Sequence, residues 1–211
     1  MIIDYHSHIL PKMDDGASSS AEALEMLLES KRQGIDVVCA TPHFYPDRDF
    51  PEAFFSRRQS CYNRLLEVSK GYDVPELKMG AEVAYYYGIG NSDEIENFCY
   101  EGTNELLVEM QFGQWNHNVF DDFRGLLSMN IVPVLAHIER YLDWVSFEDL
   151  LRLKRDGIKL QCNASCFIEK NTSNMACKWY KEGFIEYIGS DMHNNSGRPQ
   201  NIAKALEILS E

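Results

Sequence analysis

Five of the six histidines, His6, His8, His43, His137 and His193, stand where an apolar, strand-like run gives way to polar residues. Residues two apart in extended chain share a face, so His6 and His8 of IIDYHSHIL can grip one ion from one strand end. One His-x-His is weak evidence; five histidines at equivalent positions, with carboxylates beside them, describe a metal site. The same reading finds Asp14 and Asp15 in PKMDDGA, Glu82 in GAEV and Glu109 in LVEMQF. It also finds Glu139 and Arg140 in AHIERY and Asp191 in GSDMHN, while the sixth strand offers only Asn163. Glu82 and Glu109 sit within apolar strands, where a carboxylate is costly unless it is paired or ligating. Five imidazoles and four carboxylates (one from the Asp14–Asp15 turn, with Glu82, Glu109 and Asp191) are too many for one ion, so two or three are expected. The donor types suit manganese, iron or zinc rather than a thiolate site.

Strands must deliver these side chains to one place. Seven candidates, MIIDY, IDVVCA, LKMGAEV, ELLVEM, IVPVLAH, IKLQCNA and IEYIGSD, alternate with amphipathic stretches. Helices are expected over Ala21 to Gln33, Glu52 to Ser69, Asn118 to Met129, Ser146 to Arg155, Asn174 to Lys181 and Pro199 to Leu209. RQGIDVV, KRDGIKL and KEGFIEY each read as a charged helix end, a glycine cap and the next strand. Tyr85 to Gly102 reads as a long loop with a short helix. Such alternation predicts an α/β fold with a mainly parallel sheet. No Gly-x-Gly-x-x-Gly or Walker loop is present, so a nucleotide-binding doubly wound sheet lacks its signature. A distorted seven-stranded (β/α) barrel fits better, its metal site at the C-terminal strand ends where barrel chemistry sits.

The 211 residues are expected to form one domain, 1–211. Apolar residues make up 45% and charged residues 25%, and the net charge is −13. That charge argues against a nucleic-acid groove. No run is long and apolar enough to span a membrane. The N-terminus lacks the basic and small-residue features of a signal peptide, so a cytoplasmic location is expected. The six cysteines form no Cys-x-x-Cys pair and read as free buried thiols. The acidic field would repel a phosphate unless metals reversed it. Four carboxylates and one hydroxide give about −5 and three divalent ions about +6, a centre near +1. Arg140 and Arg198, just beyond strand-end ligands, could then grip phosphate bidentately.

DYHSHILPKMDDGA, ATPHF, GAEV, LVEMQF, PVLAHIERY and GSDMHNNSGRP together resemble the PHP (polymerase and histidinol phosphatase) superfamily. Within it they look like the bacterial manganese-dependent protein-tyrosine phosphatases of capsule and exopolysaccharide biosynthesis. The motifs run from Asp4 to Pro199. The resemblance implies three metal ions on a distorted βα barrel. His6, His8, Glu82 and Asp191 would hold one, and Glu82 would bridge to a second held by Glu109 and His137. Asp15, His43 and His193 would hold the third. Arg140 and Arg198 match the family's phosphate-binding and transition-state arginines. Manganese is the first expectation for the metal, with iron or zinc as alternatives.

The function expected is hydrolysis of phosphotyrosine on protein, with a bacterial tyrosine kinase as substrate and a metal-bridging hydroxide as nucleophile. No Cys-x5-Arg occurs, since the residues six beyond the cysteines are Tyr45, Glu67, Glu105, Ile168, Thr172 and Gly183. A cysteine phosphatase is thereby excluded at motif level. Two rivals stand beside this: a phosphoesterase acting on a small monoester such as histidinol phosphate, and a kinase-binding regulatory partner with a structural metal site. The chain leaves room for a homo-oligomer, but the Glu-x-x-Arg-Arg motif of some members is absent, EAFFSRR having different spacing. Plainer readings hold elsewhere: His117 lies away from a strand end, DDGA is also good turn chemistry, and Tyr85 to Tyr87 reads first as packing.

Overall fold

The computed structural model describes residues 1–210. Among them, nine strands and seven α-helices alternate. The strands are β1 (Ile3–Ser7), β2 (Val37–Ala40), β3 (His43–Phe44), β4 (Glu76–Met79), β5 (Glu82–Ala84), β6 (Glu105–Glu109), β7 (Val132–Leu135), β8 (Lys159–Asn163) and β9 (Tyr187–Gly189). The helices are α1 (Ser20–Arg32), α2 (Pro51–Ser69), α3 (His117–Ser128), α4 (Phe147–Asp156), α5 (Ala164–Ile168), α6 (Ser173–Lys181) and α7 (Ile202–Ser210). Six of them match the expected stretches closely. Gly34, Gly157 and Gly183 all take the left-handed conformation expected of caps feeding a strand. Between Tyr85 and Gly102 lie two single 3-10 turns, Ile89–Asn91 and Ile95–Phe98, rather than one short helix.

All the strand pairings are parallel, in the orders β1-β2-β4 and β3-β5-β6-β7-β8-β9. The count exceeds the expected seven because two strands are each broken once. Pro42 has no N–H to donate to the ladder and interrupts the run from Val37 to Phe44. Gly80 and Ala81 interrupt the neighbouring run. Bonds still cross the break, from Gly80 N to Ala40 O (2.9 Å) and from Glu82 N to Pro42 O (3.1 Å). At the far side, Asp191 N donates to His6 O (2.8 Å) and His8 N to Met192 O (2.9 Å), tying the segment after β9 to β1. The result is a mixed α/β fold with a curled parallel sheet.

The core has two parts. A large one packs the helices on the outer face of the sheet, with Phe54, Leu65, Phe123, Leu126, Leu150 and Phe167 fully buried. A small one holds Cys39, Tyr100, Leu107, Val134 and Ala136, joined by Ile3, Tyr5 and Tyr187. Alternation then carries the sheet from this layer to the polar one: Leu107 is followed at two residues by Glu109, and Gly189 by Asp191. In β1 the pairing register shifts between Asp4 and Ser7. Such an irregularity re-aims side chains, and here Tyr5 joins the small core while the next residue, His6, joins the polar layer.

Candidate metal centre

The polar layer brings all nine expected ligands together. Four groups have donor atoms mutually within 4.8 Å: His8, Asp15, His43 and His193; His6, Glu82 and His137; His6, His8 and Asp191; and His43, Glu82 and Glu109. Glu82 is the hub. Its Oε1 lies 2.8 Å from His137 Nε2, and its Oε2 lies 3.0 Å from His43 Nδ1, 3.2 Å from His6 Nε2 and 3.3 Å from His8 Nε2. Glu109 reaches His137 Nε2 at 3.5 Å and His43 Nδ1 at 3.8 Å. Asp191 Oδ1 lies 3.4 Å from His8 and 3.6 Å from His6, and Asp15 Oδ1 lies 3.4 Å from His193 and 3.6 Å from His43. The groups differ from the set implied by resemblance: His8 also joins Asp15, His43 and His193, Glu82 and His137 group with His6, and His43 faces Glu82 and Glu109 as well as Asp15.

The cluster is graded in depth. His6, His8, Glu82, His137 and Asp191 are buried, whereas the Asp15 side chain is 66% exposed at the mouth. Burial would raise the Glu82 carboxyl, but the charge of His6, the hydrogen bond from His137 and the close approach of His43 hold it well below its usual range. Asp191 is likewise held far down by His6 and His8 against the effect of burial. Burial lowers His8 and His6 in turn, yet Asp14 raises the first well above normal, and Glu82 with Asp191 raises the second. The Glu109 carboxyl is raised, by burial and then by the charge of Glu82. His193 is lowered to about 4 by burial, His8 and Arg198. Two buried ligand-type atoms of the cluster make no hydrogen bond, Glu82 Oε2 and His43 Nδ1. They face each other at 3.0 Å without bonding geometry. Four carboxylates, five imidazoles and orphaned lone pairs aimed inward fit divalent cations, and the oxygen and nitrogen donors suit manganese, iron or zinc.

Supporting groups complete the arrangement. Asp14 accepts from His8 Nδ1 (2.7 Å) and from the backbone N–H of His43 (3.0 Å), leaving His8 Nε2 to the cluster. Gln161 Oε1 accepts from His6 Nδ1 (3.2 Å) and His137 N (2.8 Å). Tyr141 Oη contacts His137 Nδ1 (3.1 Å) and accepts from Met110 N (3.0 Å). Asn163 donates to Asp191 Oδ2 (3.0 Å), and Glu139 accepts from Asn163 N (3.3 Å) rather than entering the cluster. Second partners of this kind fix ring orientation and tautomer. His137 (φ 32°) and Asp191 (φ 54°) adopt left-handed backbone that side-chain-bearing residues resist. Such strain costs roughly 1–3 kcal/mol each and gathers at functional sites.

Arg140 and Arg198 converge on one oxygen. Both donate to Asp191 Oδ2, Arg198 at 2.5 Å, and Arg198 Nη1 also lies 2.8 Å from His193 Nε2. Both are part-exposed and border the cluster from the rim. His117 begins α3 on the surface and joins none of these groups. The strand-end pattern does not reach Gln161 or Tyr141. A polar residue two before Asn163 in an otherwise apolar strand was the available signal for Gln161; nothing local marked Tyr141.

The profile of the family described as "Capsular polysaccharide synthesis, CpsB/CapC" matches residues 2–211. The chain is 26% identical to the tyrosine-protein phosphatase CpsB of Streptococcus agalactiae serotype V, over 99% of this chain and 89% of that protein. It is 28% identical to the tyrosine-protein phosphatase YwqE of Bacillus subtilis, over 100% and 84%. Among solved structures it is similar to one from a study of YwqE and of CpsB from Streptococcus pneumoniae, described as unique metal-dependent tyrosine phosphatases. There the TM-score is 0.79 and the identity 26%, covering 99% of this chain and 86% of that one.

Proposed function

Because the chain belongs to the CpsB/CapC family of capsular polysaccharide synthesis, we propose that it is a metal-dependent protein-tyrosine phosphatase. One observation carries the reading: nine ligand-type side chains and two arginines meet at one end of a curled sheet. The roles follow by position. His6, His8, Asp15, His43, Glu82, Glu109, His137, Asp191 and His193 hold two or three divalent ions, manganese first. When bound, those ions supply a hydroxide at neutral pH and positive charge for a phosphoryl group. Arg140 and Arg198, now bonded to Asp191, turn their forks to the equatorial phosphate oxygens. Asp14, Gln161 and Tyr141 keep the imidazoles aimed.

The strand order and the bonds between β1 and the segment after β9 support a single distorted seven-stranded barrel across 1–211, each broken pair of segments acting as one strand. The protein substrate is read as a bacterial tyrosine kinase governing capsule or exopolysaccharide synthesis. No helix among the described residues is long and apolar enough to cross a membrane. All six cysteines are free, in keeping with a reducing compartment such as the cytoplasm.

The test compares kcat/KM of the manganese-loaded protein on a phosphotyrosyl peptide and on histidinol phosphate, with Arg140→Ala beside it. The peptide is expected to be preferred, and Arg140→Ala to lose about 10²- to 10³-fold in kcat with metal content retained. Preference for histidinol phosphate would overturn the substrate assignment. Retained turnover in Arg140→Ala would remove that arginine from the chemistry.

A further inference from the structure

Beside the metal cluster lies a second open space that the ligands do not explain. It has a volume of about 660 Å3 and is lined by Tyr45, Arg48, Tyr86, Tyr87, Phe112 and Glu109, among others. Glu109 belongs to both, since it also shares a ligand group with His43 and Glu82. Tyr45 also joins them: its ring stacks on His43 with centroids 5.1 Å apart and planes 27° apart. The Arg48 guanidinium also lies over the Tyr45 ring, 4.7 Å from its centroid. An aromatic cavity thus opens directly from the ligand cluster.

Its walls are built rather than adventitious. Tyr85 and Gly88 are tied to the buried Asp122 of α3, through Tyr85 Oη (2.7 Å) and Gly88 N (3.1 Å). Beyond them Gly90 sits so close to α3 that a Cβ there would lie 2.3 Å from Asp122 O, and a Cβ on Gly125 would lie 2.8 Å from Gly90 O. The loop carrying Tyr86 and Tyr87 is therefore locked onto the helix, with Tyr85 as its anchor. Also lining the cavity, Phe112 leans on Trp144 (5.2 Å) and Tyr141 (6.2 Å) yet remains 66% exposed, and Tyr87 is 78% exposed. Exposed aromatic rings gathered at the mouth of a polar cluster mark a binding surface. Their flat faces suit a flat, uncharged guest.

We propose that the cavity between Tyr45 and Phe112 is an aryl subsite, which receives the aromatic ring of an aryl phosphomonoester and so selects aryl over alkyl phosphates. This rests on the phosphatase reading above. The ring would enter between Tyr45, Tyr86 and Phe112, and its ester oxygen would point past Glu109 toward the buried ligands. An alkyl phosphate reaches the same cluster without filling the space.

The test uses the manganese-loaded full chain and two substrates, phenyl phosphate and β-glycerophosphate. Each variant is read as its aryl-to-alkyl ratio of kcat/KM relative to wild type, which cancels the better leaving ability of phenol. Phe112→Ala and Tyr86→Ala are each expected to lower the ratio about 3- to 10-fold, chiefly through KM for the aryl ester. Phe112→Tyr should keep the ratio and Phe112→Leu should lose it, separating an aromatic face from mere bulk. Ratios within twofold of wild type in both alanine variants would overturn the subsite, as would a Phe112→Leu protein equal to wild type. If the wild-type protein hydrolyses β-glycerophosphate but neither phenyl phosphate nor a phosphotyrosyl peptide, the tyrosine-phosphatase assignment itself fails and takes the subsite with it. Aryl activity with unmoved ratios sinks the subsite alone.

Discussion

Metal binding to this cluster should expel protons, and the structure says from where. Asp14 raises His8 well above its ordinary value, and Glu82 and Asp191 raise His6. In protein stripped of metal, both imidazoles are therefore more than half protonated at pH 6.5. His193, lowered to about 4, is neutral there and releases nothing. A metal takes only the neutral ring, so binding at pH 6.5 is expected to release between one and two protons from His6 and His8. Each proton makes affinity tenfold tighter per pH unit, or about 1.4 kcal/mol, giving about 1.4–2.7 kcal/mol per unit for the pair. The fold of the stripped protein should show the opposite slope. A raised folded pKa stabilises below the unfolded value of about 6.5, and that stabilisation is lost as pH rises through the folded pKa. The assay is calorimetric titration of Mn2+ into stripped protein in two buffers of different ionisation enthalpy, alongside thermal melts over pH 6 to 9. Proton release below about half an equivalent at pH 6.5 would refute the reasoning, because His6 and His8 would then already be neutral.

Three further outcomes are expected. Chelation should abolish phosphatase activity while thiol alkylation leaves it, five of the six cysteines being buried and none belonging to a ligand group; activity lost on alkylating folded protein would count against this. Asp14→Asn, which removes the carboxylate holding His8 Nδ1, should weaken metal binding about 10- to 100-fold in an equilibrium titration with the fold intact by circular dichroism. Gly189→Ala would place a Cβ 2.4 Å from His6 Cβ and 2.9 Å from Gln161 Nε2. It should cost about 1–3 kcal/mol of stability by denaturant unfolding and lower the metal-to-chain ratio, and a wild-type midpoint would contradict the packing.

Much of the site could be read from the chain because histidine is scarce and strand ends are easy to locate. His6, His43, Glu82, Glu109, His137, Asp191 and their neighbours all followed from that one rule. The rule could not separate Asp14 from Asp15, since both sit in one turn. Only the folded loop shows Asp14 turned in to His8 and Asp15 facing His43 and His193 at the mouth. Gln161 and Tyr141 act across 24 residues and through a 3-10 turn respectively, distances at which periodicity carries no information. The breaks at Pro42 and at Gly80–Ala81 were visible as residues but not as consequences, because bonds continue across them. At five residues, α5 is too short to show a helical period.

The left-handed backbone at His137 and Asp191 has a bearing on how such chains change over time. Glycine or asparagine would relax both positions, so histidine and aspartate stand there against conformational preference. A descendant relieved of its catalytic duty would gain stability by substituting them. Glycine or asparagine at positions 137 and 191 is therefore the exchange expected in a relative whose centre is no longer used.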